Sequence, residues 1–454
     1  MTRQIRLNAF DMNCVVHQSP GLWTHPRDRA DTYNTLGYWT DLARMLERGK
    51  FDAVFLADVL GIYDVYRGGP ETALAGAVQV PVNDPTMLVP AMAAVTEHLG
   101  FGVTCTLSYE HPYPFARRMS TLDHLTNGRI GWNIVTGYLN SAAKGVGMAR
   151  QQGHDTRYEI ADDYMQVVYK LWEGSWEDGA VLRDRAAGRF AAPARIHRIE
   201  HDGPYFRLSA IHLCEPSPQR TPVLYQAGAS TRGRQFAAEH AECVFINGPS
   251  KRVIAPIVAD IRRRAAEAGR DPAEILIFTM FTVITDTTAA RAQSKYEDYL
   301  SYVSTEGALA LMSGWTGVDF SQLPPDEPVR FNERDAMTSA LEAFTVADPT
   351  RTWTPREIAH HAAIGGRSPV VVGDPKHVAD ELQAWVAETD VDGFNLAYAV
   401  TPETFVDFVD LIVPELQRRG AFKTEYAPGT LREKLYGPGR ARLPGTHPAA
   451  KVRV

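Results

Sequence analysis

The chain has 454 residues, 44% hydrophobic and 22% charged, a balance that supports a sizeable core in one large or two to three ordinary domains. A formal net charge of −7 without a basic run excludes an electrostatic footprint for nucleic acid, and no stretch reaches the roughly 20 apolar residues of a membrane-spanning helix. The N-terminus enters residues 5–10 without an apolar signal core, so a cytoplasmic location is expected, with Cys14, Cys105, Cys214 and Cys243 as reduced, largely buried thiols.

Residues 5–10 predict a strand that feeds a Gly/Pro/Trp-rich loop carrying His17. Residues 33–49 set Leu36, Trp39, Leu42, Ala43 and Leu46 at helical spacing ahead of Gly49. The run Phe-Asp-Ala-Val-Phe-Leu-Ala-Asp at 51–58 reads as a buried parallel strand ending on Asp58. A carboxylate there either caps a loop, pairs with an arginine, or belongs to a site. Residues 59–84 lack a period and are expected to form an insertion beside that site. A helix is predicted at 85–98, a third strand at 101–107 carrying Thr104, and a helix at 113–125 stopped by Asn127-Gly128. The fourth strand, 130–135, holds Asn133 at its centre, and a polar amide in that setting must bridge neighbouring strands or face a ligand. The next helix, 157–172, is expected to be capped by Asp155 or Thr156, before an irregular insertion at 175–212.

Alternation resumes with strands at 222–226, 243–247 and 275–284, and helices at 231–240 and 253–268. Residues 289–367 break the rhythm with a helix near 290–304, a Gly-Trp-Thr-Gly segment and a proline-rich stretch, and are expected to form a lid. A last strand at 393–399 precedes a helix at 401–419. These eight strands predict a single α/β domain over 1–454, a (β/α)8 TIM barrel with insertions. The rule that catalytic groups sit at the C-terminal ends of barrel strands then gathers His17, Asp58, Thr104, Thr106, Asn133 and Ser230 on one face.

Gly228 to Gly233 combines glycines, Ser230, Thr231 and Arg232 at a helix N-terminus, which suits a phosphate, although an ordinary N-cap reads the same way. His154 and Tyr158, four apart, share a helix face and could both reach it. Neither His360-His361 nor His240 to Cys243 has zinc-ligand spacing, so no metal is expected. A nucleophile elbow, a Walker loop and a dinucleotide fingerprint are all missing, so electrons for redox chemistry would come from outside the chain.

Leu7 to Cys14, Glu47 to Asp52, Phe55 to Asp58, Ala116 to Leu125, Trp132 to Thr136 and Gln226 to Gly228 resemble the bacterial-luciferase-like flavin monooxygenases. The resemblance covers nearly the whole chain and falls in the branch of the nitrilotriacetate, dibenzothiophene-sulfone, long-chain alkane and dimethyl-sulfide enzymes. Glu297 to Tyr302, Gly314 to Phe320, Pro325 to Pro328 and Asp392 to Val400 are more similar to the dimethyl-sulfide members than to the alkane members. The resemblance implies a two-component system, in which a separate NADH-dependent flavin reductase supplies FMN as FMNH2 and the barrel uses O2 to oxygenate a small apolar substrate. It also implies a homodimer or homotetramer. Asp58, Thr104, His154, Tyr158 and Ser230 match its flavin-contacting positions, with Ser230 and Tyr158 suited to the phosphate and Asn133 to the isoalloxazine. His17 is the candidate catalytic donor or acid, on the ground that imidazole changes protonation near neutral pH. Tyr63, Tyr66, Trp315 and Phe320 are expected to supply an apolar substrate wall. A deazaflavin-dependent oxidoreductase of the same superfamily is the rival reading.

Overall fold

The structure is a computed structural model that describes all residues except 1–2, 229, 330–339, 341, 343, 346 and 349. Eight parallel strands form a closed ring: β1 (Arg6–Met12), β2 (Ala53–Ala57), β3 (Gly100–Thr106), β4 (Ile130–Val135), β5 (Val223–Ala227), β6 (Cys243–Ile246), β7 (Leu276–Thr285) and β8 (Gly393–Ala397). β1 lies between β8 and β2, and the ring closes where Cys243 to Ile246 pair with Leu276 to Thr279. The eight strands coincide with the eight apolar runs of the sequence, and the (β/α)8 barrel is the observed fold. A ninth strand, Val370–Gly373, pairs with the end of β7 beyond the stretch that β8 occupies.

Helices pack on the outside because their apolar stripes match the outward faces of the strands. Trp39, Leu42, Ala43 and Leu46 of α1 (Leu36–Arg48) share one cluster with Leu7, Val54 and Leu56. The other helices that matter here are α2 (His154–Gly174), α3 (Thr231–His240), α4 (Thr305–Thr316), α5 (Pro355–Ala362) and α6 (Leu431–Tyr436). Inside the barrel Phe10, Phe55, Tyr225 and Phe245 interlock, with ring centroids 5.7 Å apart for Phe10 and Phe55, 4.9 Å for Phe10 and Phe245, and 5.4 Å for Phe55 and Tyr225. Gly131 makes room for this filling, since a Cβ there would stand 2.6 Å from Tyr225 Cε2.

Several elements differ from the sequence reading. Pro90, which has no N–H to donate, interrupts the helix expected at 85–98, leaving a 3-10 turn, Pro85–Met87, and a short helix, Val89–Ala93. α2 starts at His154 after an N-cap, Gly153, that makes no side-chain cap, so Asp155 and Thr156 are inside the helix rather than capping it. Residues 175–212 are more regular than expected. They hold two antiparallel hairpins, Val181–Asp184 with Arg189–Ala191 and Ile199–Asp202 with Arg207–Ala210. The Gly-Trp-Thr-Gly segment ends α4, with Gly317 in the left-handed region at φ 69°. Part of the expected lid, including 330–339, lies outside the described residues. The helix expected at 401–419 contains a π-helical turn at Phe408–Ile412. None of the described helices is long and apolar enough to cross a membrane.

The N-terminal end of the barrel is pinned by Arg432 on α6, which is 1% exposed. Its Nε and Nη2 donate to Glu242 at 2.7 and 3.0 Å, and further donations reach the Thr221, Pro222 and Ala441 carbonyls. Glu242 in turn accepts the Leu224 N–H of β5 at 2.9 Å. Arg432→Ala leaves a buried carboxylate uncompensated, so denaturant unfolding is expected to show a loss of about 3–5 kcal/mol. A loss below about 1 kcal/mol would mean that this pair does not anchor the barrel.

Candidate functional site

Two compartments share a wall at the C-terminal ends of the strands. The outer one is lined by Asp58, Thr106, Tyr109, His154, Arg157, Tyr158, Gln226, Gly228 and Ser230, among others. The inner one lies between the ring mouth, with His17, Asp58, Thr104 and Asn133, and a cover that includes Tyr63, Trp315 and Arg367. Asp58, Val59, Val135, Tyr138 and Ala227 belong to both. The structure thus brings all the candidate site residues to one end of the barrel, in two groups.

The inner group is built by strand register. Thr104 of β3 and Asn133 of β4 are direct cross-strand partners. The Asn133 amide donates to Thr104 Oγ1 at 2.8 Å, while its buried Oδ1 has no hydrogen-bond partner. Asn133 therefore bridges strands and also keeps an acceptor in reserve. His17 Nδ1, Gln18 Oε1 and Asn247 Oδ1 are similarly buried and unpartnered on the same lining. So many orphaned polar atoms around one cavity fit a guest that carries its own donors and acceptors.

Asp58 follows directly on β2 and makes no ion pair among the described residues, which removes the arginine-partner reading. Burial pushes its carboxyl up to about 7, Asp84 adds to the rise, and the Val59 N–H opposes it. His17 moves the opposite way: burial lowers it to about 3, against a hydrogen bond to the Phe10 carbonyl. The imidazole is neutral throughout the physiological range, so the expected change of protonation near neutral pH is not met. A neutral ring with a free Nδ1 remains.

The outer group is organised by two helix ends. Ser230 caps α3, accepting the Gly233 N–H at 3.0 Å, and its hydroxyl lies 3.2 Å from His154 Nε2. Asp155 Oδ1, 2.8 Å from His154 Nδ1, fixes the ring so that Nε2 faces the serine. The Tyr158 hydroxyl reaches the same spot because Gly228 and Gly233 have no side chains, their Cβ positions being only 3.1 and 2.8 Å from it. Arg232 does not join them. It pairs with Asp162 and stacks over the outside of the Tyr158 ring, 5.4 Å from its centroid. Ala229 lies outside the described residues. The cation of the cleft is instead Arg157, which the sequence reading passed over although His154, Arg157 and Tyr158 follow the i, i+3, i+4 spacing of one helix face. Serine and tyrosine hydroxyls, an arginine and a helix N-terminus together fit a phosphate.

Tyr63 is expected from the sequence only as an apolar wall residue, and its partners Gln79 and Tyr138 carry no sequence signal. Tyr63 donates to Gln79 Oε1 at 2.8 Å, its hydroxyl is 2.7 Å from that of Tyr138, and Gln79 donates to the His17 carbonyl at 2.7 Å. Tyr63, Tyr66, Trp315 and Phe320 share one buried cluster, but only Tyr63 and Trp315 line the inner compartment.

The folded protein holds the Asp58 proton more tightly than the unfolded chain, where the ordinary value is 3.8. The associated stabilisation is complete below that value and lost as pH rises through about 7. Ligand-free Asp58→Asn is therefore expected to gain melting temperature relative to the parent protein between pH 4.5 and pH 8. A pH-independent difference between the two would contradict this assignment.

The profile of the family described as luciferase-like monooxygenase matches residues 10–393. The chain is 55% identical to dimethyl-sulfide monooxygenase of Hyphomicrobium sulfonivorans over 453 residues, covering 100% of this chain and 94% of that protein. It is 51% identical to long-chain alkane monooxygenase of Geobacillus thermodenitrificans, covering 100% and 99%. The crystal structure of a riboflavin lyase with modified FMN and riboflavin superposes with a TM-score of 0.93 at 37% identity, over 100% of both chains. With its barrel, its matching length and these relatives, the chain belongs to the luciferase-like monooxygenase family, whose members are flavin-dependent oxidoreductases.

Proposed function

We propose that this enzyme receives reduced FMN from a separate NADH-dependent reductase and uses it with O2 to oxygenate a small apolar substrate, dimethyl sulfide, giving methanethiol and formaldehyde. The observation that carries the flavin reading is the pairing of an orphaned Asn133 Oδ1, beside Thr104 and Asp58, with a phosphate cradle one compartment away. Ser230, Tyr158, His154 and Arg157 would hold the phosphate, and Asn133, Thr104 and Asp58 the ring edge. When bound, reduced FMN supplies the two electrons that activate O2. The protein's part is to orient that ring and keep water away, with the free Nδ1 of neutral His17 placed to accept a hydrogen bond at the mouth of β1.

The substrate reading rests on the relatives and on the cover. The described part of 289–367 would form the lid over an insertion wall at 59–84, and Tyr63 and Trp315 give the inner compartment an apolar wall suited to a thioether. The alkane reading is supported by the second relative's 51% identity. Supplying reductase, NADH and O2 and comparing dimethyl sulfide with a long alkane by headspace analysis separates the two. Methanethiol and formaldehyde without alcohol are expected, and alcohol from the alkane alone would reassign the substrate.

The cradle is tested by binding. Ser230→Ala combined with Tyr158→Phe is expected to weaken FMN roughly tenfold or more, the worth of a charge-assisted hydrogen bond, and to leave riboflavin binding unchanged. Equal losses for both ligands would place the phosphate elsewhere.

A further inference from the structure

Arg367 lines the inner compartment without a carboxylate in ion-pair range among the described residues, and its buried Nε has no hydrogen-bond partner. It is set there by an expensive turn. Gly365 and Gly366 both adopt left-handed backbone, at φ 74° and 63°. A Cβ on Gly366 would stand 2.2 Å from Gln18 Oε1, and one on Gly365 2.4 Å from Thr282 Oγ1. The guanidinium rests on the Trp315 ring, 4.9 Å from its centroid, with the Tyr63 and Tyr138 phenols nearby. Burial drags its pKa from 12.5 down to about 10. The contrast with Arg432, sealed against Glu242, is sharp.

A largely buried cation without a paired carboxylate among the described residues is unfavourable, and an apolar substrate does nothing to offset it. An anion does. The phosphate cradle belongs to the outer compartment, whose lining does not include Arg367. The isoalloxazine of FMN is neutral when oxidised and anionic, over its N1 and C2 carbonyl edge, when reduced at neutral pH. We infer that Arg367 is the counter-ion of the reduced flavin ring and so makes the site select reduced over oxidised FMN. This rests on the flavin reading above. An anionic group on the substrate is the other possible source of the same charge.

The two sources separate in anaerobic titrations of the parent protein, Arg367→Met and Arg367→Lys with oxidised and with reduced FMN. The parent is expected to bind reduced FMN at least tenfold more tightly, which for a two-electron couple raises the bound flavin's midpoint potential by about 30 mV over free FMN. Arg367→Met abolishes that preference while oxidised FMN binds within twofold of the parent, and Arg367→Lys, keeping the charge, retains most of it. Equal losses for both redox forms would reduce Arg367 to a shaping role and overturn the inference. So would unchanged flavin preference in Arg367→Met, the result expected if the anion belongs to the substrate. A parent protein that binds neither form overturns the flavin reading itself.

Discussion

Closure of the ring between β6 and β7 is the constraint on which the site depends. Four residue pairs, Cys243 with Leu276 through Ile246 with Thr279, join the two strands and bring all eight C-terminal ends to one rim. Because Phe10, Phe55, Tyr225 and Phe245 fill the interior just below, the rim sits on a solid apolar floor. Polar side chains one step further along β3 and β4 then face neither water nor core, and Thr104 and Asn133 must satisfy each other first. What they leave over, the Asn133 oxygen, is available for a guest.

The same floor governs the electrostatics. Low dielectric penalises whichever form of a group is charged, so it moves Asp58 up to about 7, His17 down to about 3 and Arg367 down to about 10. Three groups of different chemistry thus respond to one cause. An acid whose ionisation burial opposes, a neutral imidazole and a retained cation favour a guest that is polar at its edge and negative in charge. The outer compartment follows different rules, since helix ends and hydroxyls do there what desolvated side chains do inside.

Much of the barrel was legible in the sequence because buried parallel strands advertise themselves as short apolar runs, and because the acid after β2 and the amide inside β4 break those runs where packing gives no reason to. Helix α2 put His154 and Tyr158 on one face as their spacing indicated. What failed depended on long-range context. Arg232 was taken by Asp162, seventy residues away in the chain, and left the phosphate side of its helix to Arg157. His17 kept its identity as a mouth residue but lost its protonation switch, since burial is a property of the assembled floor. Arg367 gave no signal, because an arginine after two glycines reads as an ordinary surface turn until Trp315 and the compartment are seen around it.

On the proposed function the two compartments are one flavin site, with the phosphate outside and the ring inside. A crystal structure of the protein grown with FMN tests it most directly. Phosphate oxygens are expected within hydrogen-bond distance of Ser230 Oγ and the Tyr158 hydroxyl, and the ring in the inner compartment against Asn133 and Thr104. A phosphate bound away from Ser230, or a ring that leaves the inner compartment empty, would contradict it.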